Sequence, residues 1–161
     1  MNKLIYLCIF TVVISFNSCR PDDDDDDGNN TDLSGSCSAV IDGNNWIADA
    51  DRVTVVISNF GSGPLISVNA MKAADTSYFT FTLPYFYGTD TVYTEPTPGL
   101  PELRFTNGDI WLGETATLSI GRSTVDGIET YTGSFNGNFE TVTGGNVIVV
   151  TDGTFTAKRL L

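Results

Sequence analysis

Four runs of the chain alternate apolar and polar residues with a period of two, and this pattern constrains the fold more than any other feature. Val53, Val55 and Ile57 share one side against Thr54 and Ser58, and Ile66, Val68 and Ala70 oppose Leu65, Ser67 and Asn69. Phe79, Phe81 and Leu83 alternate with Tyr78, Thr80 and Thr82; Ala116, Leu118 and Ile120 alternate with Thr115, Thr117 and Ser119. Successive side chains of a strand point to opposite faces, so each run has the pattern of a strand with one face buried. No helical period longer than a turn interrupts them. Thr, Val, Ile and aromatic residues are plentiful and Gln is absent, which favours strands over helices.

Turn signals divide these runs. Asp126-Gly127 sits between Val125 and Ile128, and Asp152-Gly153 separates Val147–Val150 from Thr154–Lys158. Both are expected to be two-residue hairpin loops, because tight hairpins need positive φ angles that Asp and Gly tolerate. Asn107-Gly108, Gly144-Gly145 and Asp42-Gly43-Asn44-Asn45 are further turns, and Lys72 to Ser77 is a short polar connector. Asn136-Gly137 is either a turn or a bulge within the run from Ile128 to Glu140. Tyr87 to Pro101 holds three prolines and two glycines, which predicts the longest ordered loop. Residues 36–161 are thus expected to form one all-β domain of nine or ten strands. It would be an antiparallel β-sandwich or a meander barrel, with a lipocalin-like barrel as runner-up.

Charge and composition remove several function classes. The 161 residues carry 20 acidic and 8 basic side chains and no histidine, for a net charge of −12. Without histidine, His-dependent serine and cysteine triads and His-containing zinc sites are excluded. The acidity argues against a nucleic-acid partner, which needs basic side chains to neutralise phosphates.

The N-terminal stretch is expected to be an address. After Met1–Lys3, the 13-residue apolar run Leu4 to Phe16 is shorter than the roughly 20 residues a spanning helix requires. Residues 1–18 therefore read as a signal peptide. Phe16-Asn17-Ser18-Cys19 resembles a lipobox, with small Ser18 just before the cysteine. The resemblance implies cleavage before Cys19 and lipidation of its thiol, so that the membrane is a partner through acyl chains. Two or more chains give stable anchoring where one does not. Arg20-Pro21 and the six aspartates Asp22, Asp23, Asp24, Asp25, Asp26 and Asp27 follow. This tract resembles the acidic export signal of surface lipoproteins of Bacteroidota-type bacteria, which implies an outer-membrane, lipid-anchored protein on the cell's outer face. Residues 19–35 as a whole read as a polar, self-repelling tether.

Candidate sites in the domain are few. Gly43-Asn44-Asn45-Trp46 is similar to the Gly-x-Trp of lipocalins, offset by one residue, although Trp46 also fits a core anchor. Tyr87, Tyr93 and Trp111, with Tyr85 and Phe86 beside them, bracket the long loop and are candidates for a sugar-stacking platform, a reading that ordinary packing outweighs. Ordinary core packing of Phe86 and Trp111 is the competing reading. Asp90, Glu95 and Glu102 are neighbouring hydroxyl acceptors. A carboxylate pair for glycan hydrolysis would come from Glu95, Glu102, Asp109, Glu114, Glu129 and Glu140, but no spacing singles out two of them. Asp49-x-Asp51 lacks the calcium-loop pattern, and no metal or cofactor is expected. Cys37 reads as a small buried hydrophobe. Asp90-Thr91-Val92 resembles the O-glycosylation motif of exported proteins of the same bacteria, which implies modification at Thr91. The expectation is a non-enzymatic binding module for a glycan or a protein partner, accessory to outer-membrane uptake. The alternatives are a structural or adhesion component and a carboxylate-dependent hydrolase.

Overall fold

The computed structural model describes residues 32–60, 63–84, 90–94 and 102–161. Ten strands form one antiparallel sheet: β1 Ser36–Ile41, β2 Asn44–Ile47, β3 Val53–Phe60, β4 Gly63–Lys72, β5 Ser77–Pro84, β6 Asp90–Thr94, β7 Glu102–Thr106, β8 Ile110–Val125, β9 Ile128–Thr141 and β10 Val147–Leu160. Their order across the sheet is β2-β1-β10-β9-β8-β7-β5-β4-β3, and β6 pairs with β8. A 3₁₀ turn, Ala50–Arg52, precedes β3. The alternation seen in the sequence holds. Ile66, Val68, Ala70, Phe79, Phe81, Leu83, Ala116, Leu118 and Ile120 are all buried on one face.

That face closes on itself. In a flat sheet with strands about 4.8 Å apart, β5 and β10 would stand roughly 19 Å from each other. Yet Phe81 of β5 and Phe155 of β10 stack with ring centroids 5.1 Å apart. Trp46 of β2, still farther along the strand order, meets Phe79 of β5 edge-on at 4.9 Å. The sheet is therefore strongly curled into a half-barrel rather than split into two stacked layers. Phe79, Phe81, Phe135, Phe139 and Phe155 fill its interior with ring against ring.

A line of irregularities marks where the sheet bends. Register shifts fall between Gly113 and Thr115 on β8, Val150 and Gly153 on β10, and Ser38 and Val40 on β1. Between them on β9 lies Gly137, paired with Ala116 on one side and Val150 on the other. Bulges increase twist and bend a strand locally, so bulges in neighbouring strands fold the sheet along one crease. A Cβ on Gly137 would lie 2.4 Å from the Ala116 Cα and 2.5 Å from the Thr115 carbonyl oxygen, at a φ of +147°. The crease needs glycine there.

Three expectations need correction. Asp152-Gly153 is no hairpin: β10 continues through it as a bulge, with Asp152 at φ 52°. Positive φ serves hairpins and bulges alike, and here pairing with β9 and β1 on the two sides keeps the strand running on. By contrast Asp126-Gly127, at φ 50° and 77°, does make the β8–β9 hairpin. Asn136-Gly137 lies inside β9 opposite its neighbours' bulges. The stretch from Tyr87 to Pro101 is not all loop either, because Asp90–Thr94 forms β6. Its three prolines all follow Thr94, so Asp90–Thr94 itself keeps β-branched and aromatic residues with every backbone donor intact.

The described unit begins at Asp32. Gly35 donates its N–H to the Ala50 carbonyl at 3.0 Å, and Lys158 Nζ donates to the Asp32 carbonyl at 3.4 Å. A Cβ on Gly35 would meet the Thr156 carbonyl oxygen at 2.6 Å and Val53 Cβ at 2.7 Å. The last residues before β1 are thus wedged where β3 approaches β10.

Candidate functional site

Strand register decides which of the expected site residues face outward. Trp111 pairs with Phe105 on β7 and Thr141 on β9, both buried, and is itself only 8% exposed. Its indole nitrogen donates to Asn107 Oδ1 at 2.9 Å. Trp111 is therefore a core residue and not part of a stacking platform, which corrects the expectation. Local sequence could not show this, because the burial is imposed by the two strands beside it. Tyr93 and Thr91 lie on β6 in register with Leu118 and Ile120. Tyr87, Cys19 and Asp22–Asp27 lie outside the described residues, as do Tyr85, Phe86 and Glu95. Trp46 is buried as a core anchor, bonded through its indole nitrogen to Ser77 Oγ.

Glu102, Asp49 and Glu129 are tied into the scaffold. Glu102 pairs with Arg104 at 2.6 Å. Asp49 Oδ2 accepts the Ala73 N–H at 2.8 Å and so holds the β4–β5 turn. Glu129 is 3% exposed on the inner face near the β8–β9 hairpin. Arg159 Nε lies 2.6 Å from its Oε2, Tyr131 donates its hydroxyl to the same oxygen at 2.9 Å, and Arg122 Nη1 lies 3.4 Å from Oε1. Burial alone would raise the Glu129 carboxyl, but the hydrogen bonds from Arg159 and Tyr131 and the charges of both arginines outweigh it. The result lies below the usual carboxylate range. A carboxylate held as an anion is a poor general acid. Among the described residues, no three His, Cys, Asp or Glu side chains gather as metal ligands would.

A concavity does appear on the outer face, at the crease. It is a shallow groove, open to solvent, of about 340 Å³, lined by Asn136, Gly137 and Asn138 of β9 and by Val149, Val150, Thr151 and Asp152 of β10. Asn136, Asn138, Val149, Thr151 and Asp152 are exposed. Asn136 and Asn138 point the same way because they are two apart on a strand. The β10 bulge places Thr151 and Asp152 opposite Asn136, while Val149 pairs with Asn138. Thr117 on β8 pairs with Asn136 and is in turn in register with Thr94 of β6. Two amides, a hydroxyl and a carboxylate offer both donors and acceptors beside the exposed, apolar Val149. Asn136, Gly137 and Asp152 were visible in the sequence as turn or bulge signals, but only the β9–β10 register joins them to the rest of the lining.

Comparison with protein-family models, curated proteins and solved structures found no match to the chain.

Proposed function

We propose that the chain is a non-enzymatic binding module held on the outer membrane by acyl chains on Cys19, and that it takes a glycan in the crease groove. The observation that carries this reading is the outward groove of Asn136, Asn138, Thr151, Asp152 and Val149, set against an interior filled by aromatic rings. Sugars present many hydroxyls and an apolar C–H face, and this lining offers groups for both. The acidic tract from Asp22 to Asp27 supports transfer to the outer face, where such ligands are met.

The test is a glycan array probed with the full chain, followed by titration of any hit. Asn138→Ala and Asp152→Asn are each expected to weaken binding about tenfold without changing thermal stability. Asn keeps the left-handed backbone that position 152 needs. Absence of binding by the wild-type chain, or binding unchanged in both variants, refutes the glycan reading. Mass spectrometry of the native protein tests the anchor separately: an unmodified N-terminus overturns it.

A further inference from the structure

We infer that Asn107 is a site of spontaneous covalent change, in which its side-chain amide converts to a carboxylate through a cyclic imide. The chain contains two Asn-Gly pairs, Asn107-Gly108 and Asn136-Gly137, and the fold treats them differently. In this reaction the Gly backbone nitrogen attacks the Asn Cγ. The N–Cγ bond forms, the Cγ–NH₂ bond breaks, and ammonia leaves with the proton shed by the attacking nitrogen. Water then opens the imide at either carbonyl, giving aspartate or isoaspartate. One water enters, one ammonia leaves, and nothing is oxidised or reduced.

Ring closure requires the backbone to bring nitrogen and Cγ together, as in any proximity-driven reaction. Gly137 is held within β9 between Ala116 and Val150, so the extended ladder keeps these atoms apart. Asn107 and Gly108 lie in the exposed turn between β7 and β8. Gly108 has φ +105°, and nothing stands within 4 Å of where its Cβ would be, so the backbone beside Asn107 is uncrowded on that side. The indole N–H of Trp111 donates to Asn107 Oδ1 at 2.9 Å. A donor there draws charge from the amide carbon and stabilises the oxyanion of the tetrahedral adduct, as donors do in acyl transfer. The product matters to the fold. Aspartate places a carboxylate on the Trp111 N–H, whereas isoaspartate lengthens the main chain beneath a core tryptophan.

The experiment incubates the full chain at neutral and mildly alkaline pH and maps peptides by mass spectrometry, with a denatured control. In the native chain, Asn107 is expected to convert at least roughly tenfold faster than Asn136, and in denaturant the two converge. Asn107→Gln should abolish conversion at that position, and Trp111→Phe should slow conversion of Asn107 several-fold in a chain that stays folded by circular dichroism. Native Asn107 that remains intact while the denatured chain converts, or Asn136 converting as fast in the folded protein, overturns the inference. An unchanged rate in Trp111→Phe overturns the part assigned to the indole.

Discussion

The indole nitrogen of Trp46 donates to Ser77 Oγ at 2.6 Å, tying β2 to the first residue of β5 across the mouth of the half-barrel. Ser77 in turn donates to Asp75 Oδ1, and Asp75 Oδ2 lies 2.7 Å from Lys72 Nζ. Ser77→Ala leaves a buried N–H without its acceptor, and we expect a loss of about 1–3 kcal/mol of unfolding free energy. Trp46→Ala also empties the space beside Phe79 and Phe105, for about 3–5 kcal/mol. Urea unfolding measures both; a Ser77→Ala variant as stable as wild type would show that the bond contributes nothing.

Glu129 is the buried charge on which Arg159 and Arg122 converge. Glu129→Gln removes the buried negative charge that Arg159 Nε meets at 2.6 Å and is expected to cost about 3 kcal/mol, because breaking a buried pair is worse than never having had one. The same residue shapes the acid limb. Its folded carboxyl lies below the ordinary range, and Asp75 is lowered to about 2, by hydrogen bonds from Lys72 and Ser77. A lowered folded pKa contributes stability above the unfolded value of about 4 that is lost as pH falls through the folded value. Stability should therefore decline below pH of about 4, and Glu129→Gln should flatten that decline. Asp75→Asn should change it less, since the Asp75 side chain is 49% exposed and well screened. A wild-type acid limb equal to that of Glu129→Gln would refute the assignment.

Two glycines with positive φ separate backbone strain from crowding. Gly43→Ala, at φ +80° in open space, should lose only about 1–2 kcal/mol for the left-handed backbone. Gly137→Ala adds a Cβ within 2.4 Å of the β8 backbone and should either prevent folding or cost well beyond that. Thermal melts of the two variants decide the point, and equal losses would mean that the crease tolerates a side chain.

Cys37 is 2% exposed, and burial pushes its thiol up to about 12. In the native protein Cys37 should resist thiol reagents until the domain unfolds. The unfolded thiol ionises near 9 while the folded one does not, so stability should fall by about 1.4 kcal/mol per pH unit above that point. Cys37→Ala removes this alkaline slope even though it opens a small cavity. Rapid labelling at Cys37 of the folded chain, located by peptide mapping, would disprove the burial.

Much of the fold was legible. The inward faces of β4, β5 and β8 follow from alternation, because side-chain direction in a strand is a local covalent property. Asp126-Gly127 announced its hairpin for the same reason. Asp152-Gly153 misled because one dihedral signature serves two structures, and the choice between them lies with residues more than ten positions away on β9. Trp111 misled because an aromatic next to a loop looks the same whether it is covered or bare.

The amino-acid order alone determined that this is an antiparallel β protein, which residues of each strand turn inward, and that histidine-based chemistry is closed to it. Tertiary structure alone decided that one sheet curls until Trp46 reaches Phe79, that the bulges of β1, β8 and β10 align into a crease, and that Asn138 and Asp152 share a groove. The division has a physical cause. Alternation and turn dihedrals are set by neighbours along the chain, whereas curl, register and grooves are set by contacts between distant residues, whose pairing is chosen by the packing of the whole core.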